Sequence, residues 1–178
     1  MIHNTTLAHL AAEDMAALSP HIMQRRRERG EVFNRQGEEV EAVYFPGTAH
    51  VSNVLRFSNG KSSESFLMGS EGVTGLTVFL AEQPCGWSVE VRLPGTVYQV
   101  AAPALRRRFR ESETLRLQLL RLTYDYQAQA ALSTGCSRHH VIPARLATMI
   151  FQISDRLSLS SLELTQDDFS DMGFSERR

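Results

Sequence analysis

The sequence predicts an α+β fold, a β-sandwich or roll with helices before and after it. Three observations carry this expectation. Apolar residues recur at three- and four-residue steps from Leu7 to Met23. From Glu31 to Val100 short β-rich runs are separated by Gly, Pro and Asn, and from Pro103 onward helical spacing returns. Many short strands at regular spacing close into a sandwich or roll.

Composition bounds the problem before any motif does. A chain of 178 residues, 42% hydrophobic and 22% charged, buries roughly 70% of its extended surface on folding and needs no disulfide or metal staple. Cys85 and Cys136 lie far apart with no C-x-x-C spacing, so reduced structural thiols and no thiolate metal site are expected. No apolar run approaches the roughly 20 residues of a membrane span. Met1 to Leu18 carries acids where a signal peptide would be basic and then apolar, so a cytoplasmic protein without a membrane partner is expected. The net charge of −1 argues against nonspecific coating of nucleic acid. Lys61 is the sole lysine among 19 basic residues. The arginines cluster at Arg25-Arg26-Arg27-x-Arg29, Arg106-Arg107-Arg108-x-Arg110 and Arg177-Arg178, as solvated helix ends or as anion contacts.

In chain order, Leu7 to Arg29 reads as helix broken at Ser19-Pro20. Candidate strands follow at Val32–Arg35, Ala42–Phe45, His50–Phe57, Ser62–Met68, Gly86–Arg92 and Thr96–Val100. Asn59-Gly60 suits a type I′ hairpin turn, which requires positive φ at both central residues. Ser112 to Thr134 is a helix with two opposed apolar stripes, Leu117, Leu120, Tyr124, Ala128 and Ala131 on one side, Leu115, Leu119, Leu122, Tyr126 and Ala130 on the other. Such a helix must be covered twice. One stripe packs on the roll and a second copy covers the other; the four-three-four steps of Leu115, Leu119, Leu122 and Tyr126 suit a dimer seam. After a break at Gly135-Cys136, Pro143 opens an amphipathic helix with Ile142, Leu146, Met149, Ile150, Ile153 and Leu157. Thr165 and Asp168 then resemble a capping box, and Gly173 ends that helix.

The order of parts resembles the catabolite-activator and fumarate–nitrate-regulator (Crp/Fnr) superfamily of bacterial transcription regulators. The residues that carry the resemblance are Val43-Tyr44-Phe45-Pro46 before a Gly turn, Glu71-Gly72-x-x-Gly75-Leu76, Cys136-Ser137-Arg138-His139-His140, Arg145-Leu146-Ala147, Asp155-Arg156-Leu157 and Leu164-Thr165-Gln166-Asp167. The resemblance implies a cyclic-nucleotide-binding-like double-stranded β-roll (jelly roll) with a helical flap in residues 1–110, a dimerisation helix in 111–135 and a winged helix-turn-helix in 136–178. It implies an effector cleft at Glu71, Gly72, Val73, Thr74, Gly75, Trp87 and Ser88, and DNA contacts from Thr165, Gln166, Ser175, Arg177 and Arg178. Leu115, Leu119, Leu122 and Tyr126 are the expected dimer contacts, with the opposed stripe as the alternative face.

Two departures shape the expectations. Members that bind a cyclic nucleotide hold its phosphate with an arginine after a proline, whereas here Pro84 is followed by Cys85-Gly86-Trp87-Ser88. Without that charge-assisted bond, cyclic AMP and cyclic GMP are disfavoured, and any small-molecule effector is unidentified. The recognition helix would begin at Ser175 and end in its first turn, so the DNA-binding module is expected to be incomplete. The expected function is an effector-sensing homodimeric regulator. A stand-alone sensor that dimerises with full-length relatives and a cupin-like enzyme are the alternatives. The enzyme reading is weakened because His50 stands alone in the roll, with no nucleophile elbow or phosphate-binding loop in the chain. Adjacent His139 and His140 point about 100° apart on a helix and do not suit one metal ion.

Overall fold

The computed structural model describes residues 2–157. Helices α1 (Thr5–Ala8) and α2 (Ala12–Leu18) lead through a 3₁₀ turn at Ser19–His21 into strand β1 (Ile22–Arg27). The helix expected to continue past the break at Ser19-Pro20 to Arg29 therefore does not resume after the 3₁₀ turn. Ile22 and Met23 continue the helical spacing, but β1 pairs antiparallel with β7 (Gly95–Ala101) from Ile22↔Val100 to Arg27↔Gly95, and the backbone pairing decides its conformation.

The remaining strands fall where the turn residues place them: β2 (Val32–Asn34), β3 (Ala42–Pro46), β4 (His50–Arg56), β5 (Ser62–Met68) and β6 (Ser88–Leu93). Among the described residues they form two antiparallel sheets, in the orders β1-β7-β3 and β2-β6-β4-β5. The β4–β5 turn is not type I′, because only Gly60 has positive φ, at 79°. Gly60 N–H donates to the Phe57 carbonyl at 3.0 Å and Phe57 N–H to the Lys61 carbonyl at 2.9 Å. That is a three-residue loop with glycine in the left-handed position, which costs Asn59 no strain.

Strand alternation sorts the core. On β3 and β7, Ala42, Tyr44 and Val97 turn into the roll, where Phe33 packs against them and also against Val51, Met68, Val89 and Val91 of the opposite sheet. Val43, Phe45, Tyr98 and Val100 turn outward. They meet Leu7, Leu18, Val78, Phe79, Leu105, Leu115 and Leu119, so the three-stranded sheet is covered by helices α1, α2, α3 (Thr77–Leu80), α4 (Ala102–Glu111) and α5 (Glu113–His139).

Helix α5 begins at Ser112, whose hydroxyl accepts from Leu115 N–H at 3.2 Å. It passes through the expected break at Gly135-Cys136 and ends at His139, with His140 extended. A single glycine costs a helix only about 1 kcal/mol. Pro143 belongs to the first turn of α6 (Ile142–Leu157), as expected, and it is near this proline that the chain turns from one helix to the next.

Candidate effector cleft and self-association face

The loop from Gly69 to Leu76, between β5 and α3, carries Glu71 to Gly75 of the expected effector residues, and the fold ties it down from three directions. From the N-terminal segment, Asn4 Nδ2 donates to the Pro46 carbonyl at 2.8 Å and the Gly72 carbonyl at 2.9 Å, Thr5 N–H to the Ser70 carbonyl at 2.8 Å, and Thr6 Oγ1 to the Glu71 carbonyl at 3.0 Å. From β3, the Tyr44 carbonyl accepts Thr74 N–H at 2.9 Å and Tyr44 N–H donates to Thr74 Oγ1 at 3.3 Å. From α5, the Tyr126 hydroxyl accepts Val73 N–H at 2.7 Å. Gly75 has φ of 73°, and a Cβ there would stand 3.1 Å from Val40 Cγ1, so glycine is required on both counts.

Gly72 N–H donates to the Gly69 carbonyl at 3.0 Å, so the amides of Gly72, Val73 and Thr74 all have partners inside the chain. A run of free amides, which an anion would need, is not offered by these three residues. Helix α3 behind them has only four residues.

Trp87 is half-buried and packs against the same Val51, Met68, Val89 and Val91 cluster that receives the Tyr126 ring. Trp87 and Tyr126 thus share one apolar cluster, and the Tyr126 hydroxyl ties the loop to it at Val73. Ser88 is not part of it. Its hydroxyl accepts Gln36 N–H at 3.2 Å, and the register Val54↔Ser88 puts it on the opposite face of the sheet from Val89.

Arg56 and Arg92, the nearest strand arginines, are committed on that opposite face. Ser52↔Glu90 and Val54↔Glu64 place both acids there. Arg92 pairs with Glu64 at 3.1 Å and with Glu90 at 3.8 Å, and Arg56 pairs with Glu90. At the position where the resemblance expects a phosphate-binding arginine, Cys85 is 2% exposed, and burial pushes its thiol pKa up against a hydrogen bond with the Trp87 backbone, so the group is neutral.

Among the described residues, several arginines of the two clusters at Arg25–Arg29 and Arg106–Arg110 are held in ion pairs. Arg26 pairs with Glu28 at 3.0 Å, Arg27 with Glu31 at 3.1 Å, Arg108 with Asp14 at 2.6 Å and Arg110 with Glu82 at 2.5 Å. Sequence reasoning did not foresee the stack of the Arg27 guanidinium 5.7 Å over Phe33, whose ring lies 4.2 Å from that of Tyr44. It also missed the part of Asn4, Thr5 and Thr6, although Asn4 before an apolar run is a helix-cap signal and does cap α1.

The expected dimer contacts need correcting. Leu115 and Leu119 are buried in the chain's own core, Leu122 packs against it, and Tyr126 is bonded to Val73, so this stripe of α5 is covered by the roll and its helices. The opposed stripe is the one left open, with Leu117, Leu120 and Tyr124 exposed. Thr165, Gln166, Ser175, Arg177 and Arg178 lie outside the described residues. Among the described residues, no group of three metal-ligating side chains comes together and no helix is long and apolar enough to cross a membrane.

No protein-family model and no curated protein matches the chain. Solved structures do. FixK2 from Bradyrhizobium japonicum superimposes with a TM-score of 0.74 at 17% identity, over 85% of this chain and 76% of that one. CLP, the c-di-GMP-responsive global regulator of Xanthomonas campestris, gives 0.68 at 14% identity over 93% and 86%. A crp/fnr-family protein from Eubacterium rectale gives 0.75 at 8% identity over 98% and 82%. The fold is that of the Crp/Fnr regulators. In this fold the loop from Gly69 to Leu76 and the long helix α5 are joined by the Tyr126 hydroxyl.

Proposed function

We propose that the chain is a homodimeric regulator of the Crp/Fnr type, acting by binding rather than catalysis, whose subunits meet through the outer stripe of α5. One observation carries this reading. Leu115 and Leu119 are 1% and 0% exposed, while around the helix Leu117, Leu120 and Tyr124 are 45%, 42% and 69% exposed. A second copy offers the identical stripe, and a two-fold axis covers both at once. Such an axis also duplicates residues 136–178, the arrangement that paired half-sites on DNA require, and DNA is the partner this reading assigns to them. A Leu120→Cys variant in a Cys136→Ser background is expected to oxidise to a covalent dimer, whereas Leu119→Cys in the same background is not. Equal cross-linking of the two would contradict the assignment of the faces.

The cleft is read as closed to cyclic nucleotides, supported by the neutral Cys85, the spent amides of Gly72, Val73 and Thr74, and the ion pairs of Arg56 and Arg92. Calorimetric titration with cyclic AMP or cyclic GMP is expected to show nothing tighter than about 100 μM, about 5.5 kcal/mol. A micromolar constant would overturn this part of the reading.

A further inference from the structure

The hydroxyl of Tyr126 sits where loop and long helix meet, and it works in both directions. It accepts Val73 N–H at 2.7 Å and donates to the Val73 carbonyl at 3.2 Å, using the donor and acceptor capacity of one phenol on the two peptide groups that flank one residue. Its ring lies against Val51, Met68, Val89 and Val91. A Cβ on Gly72 would come 2.9 Å from Met68 Cβ and 3.2 Å from the same hydroxyl, so a side chain at residue 72 would push the loop off this floor. A second route joins the same parts: Thr6 Oγ1 donates to the Glu71 carbonyl at 3.0 Å, and Gln118 Nε2 of α5 donates to the Thr6 carbonyl at 2.8 Å.

These anchors differ in what they hold. Gln118 lies beside Leu115, Leu119 and Leu122, which already fix the first half of α5 to the core. Beyond Leu122, Tyr126 is the one α5 side chain in the apolar clusters of the described residues. The attachment of the middle of α5 to the roll therefore runs through this residue.

We propose that the Tyr126 hydroxyl is a built-in substitute for an effector, bolting the loop from Gly69 to Gly75 onto α5 so that the helix is held on the roll with no small molecule in the cleft. The bolt consists of one hydroxyl seated on an apolar floor, and it satisfies both the N–H and the carbonyl of Val73 from within the chain. Its consequence for self-association rests on the reading of α5 given above, since Leu120 and Tyr124 lie on the same helix.

Amide hydrogen exchange followed by NMR on the full chain tests this. Tyr126→Phe keeps the ring and removes the hydroxyl, and exchange at Val73 N–H and across residues 122–130 is expected to quicken about tenfold, the effect of losing roughly one hydrogen bond's worth of protection. In Tyr126→Gly, millimolar phenol is expected to slow Val73 exchange again, and benzene, which brings the ring without the hydroxyl, is not. Wild-type exchange at Val73 in Tyr126→Phe would overturn the proposal, and so would equal rescue by benzene and phenol. Should Tyr126→Gly not fold, the Tyr126→Phe result decides alone. Leu120→Asp separates this proposal from the dimer reading. If it dissociates the dimer while Tyr126→Phe leaves Val73 slow, the dimer stands and the bolt falls; if it leaves the assembly unchanged while Tyr126→Phe loosens Val73, the bolt stands and the dimer reading falls.

Discussion

Asp14 joins three helices through one carboxylate. It is 1% exposed, and its two oxygens accept from Arg108 Nε of α4 and from Thr114 Oγ1 at the start of α5, each at 2.6 Å. Burial alone would raise its pKa, but hydrogen bonds from Thr114, Ser112 and Arg108, with the Arg108 charge, outweigh it and hold the carboxyl below its ordinary range. A folded-state pKa below the unfolded value stabilises the fold above about pH 3.9, and that contribution is lost as the pH falls through the folded pKa. Asp14→Asn is expected to cost roughly 1–3 kcal/mol in urea unfolding at pH 7, because Arg108 loses its charged partner in a half-buried place. Measured again toward pH 2, the difference between variant and wild type should shrink. A constant difference across that range would show that the charge of Asp14 is not what stabilises the junction. None of this was legible in the sequence, where Asp14 is one acid in an ordinary amphipathic turn and its partners lie about 100 residues away.

At the level of elements, legibility followed from how local the determining interactions are. Strands β2 to β7 were visible because Gly, Pro and Asn mark their ends, and turn chemistry acts over a few residues. Strand β1 was not, because its two apolar residues fit a helix as well as a strand and only the distant β7 edge decides between them. Both stripes of α5 could be read from spacing, but which one faces inward could not. Leucines stand on each, and the choice depends on where the roll lies. The expected effector residues came from the resemblance alone, while the clamping of that loop by Asn4, Thr6 and Tyr126 spans 53 to 68 positions and leaves no local pattern. The two stripes should separate in unfolding measurements made in a Leu120→Asp background. Leu119→Ala there is expected to cost about 2–5 kcal/mol, as a fully buried leucine does, and Leu117→Ala to stay within about 0.5 kcal/mol. Similar costs at the two positions would mean that the inward face of α5 is misassigned.

For the whole molecule, the two-sheet roll and its helical cover account for one side of α5 and leave the other apolar. Sheet and helices form a closed core around Phe45, Leu105, Leu115 and Leu119, so nothing in the chain's own fold between residues 2 and 157 requires Leu117, Leu120 or Tyr124 to be apolar. In the proposed dimer a symmetric partner supplies the reason. Burying an unpaired carboxylate in that seam is strongly unfavourable, which makes Leu120→Asp a selective probe: exposed in the monomer, buried in the dimer. Sedimentation equilibrium at micromolar concentration measures the claim directly. Wild type is expected at twice the 20.0 kDa chain mass and Leu120→Asp at the chain mass itself with its fold intact by circular dichroism, and a wild-type protein sedimenting as a single chain would contradict it.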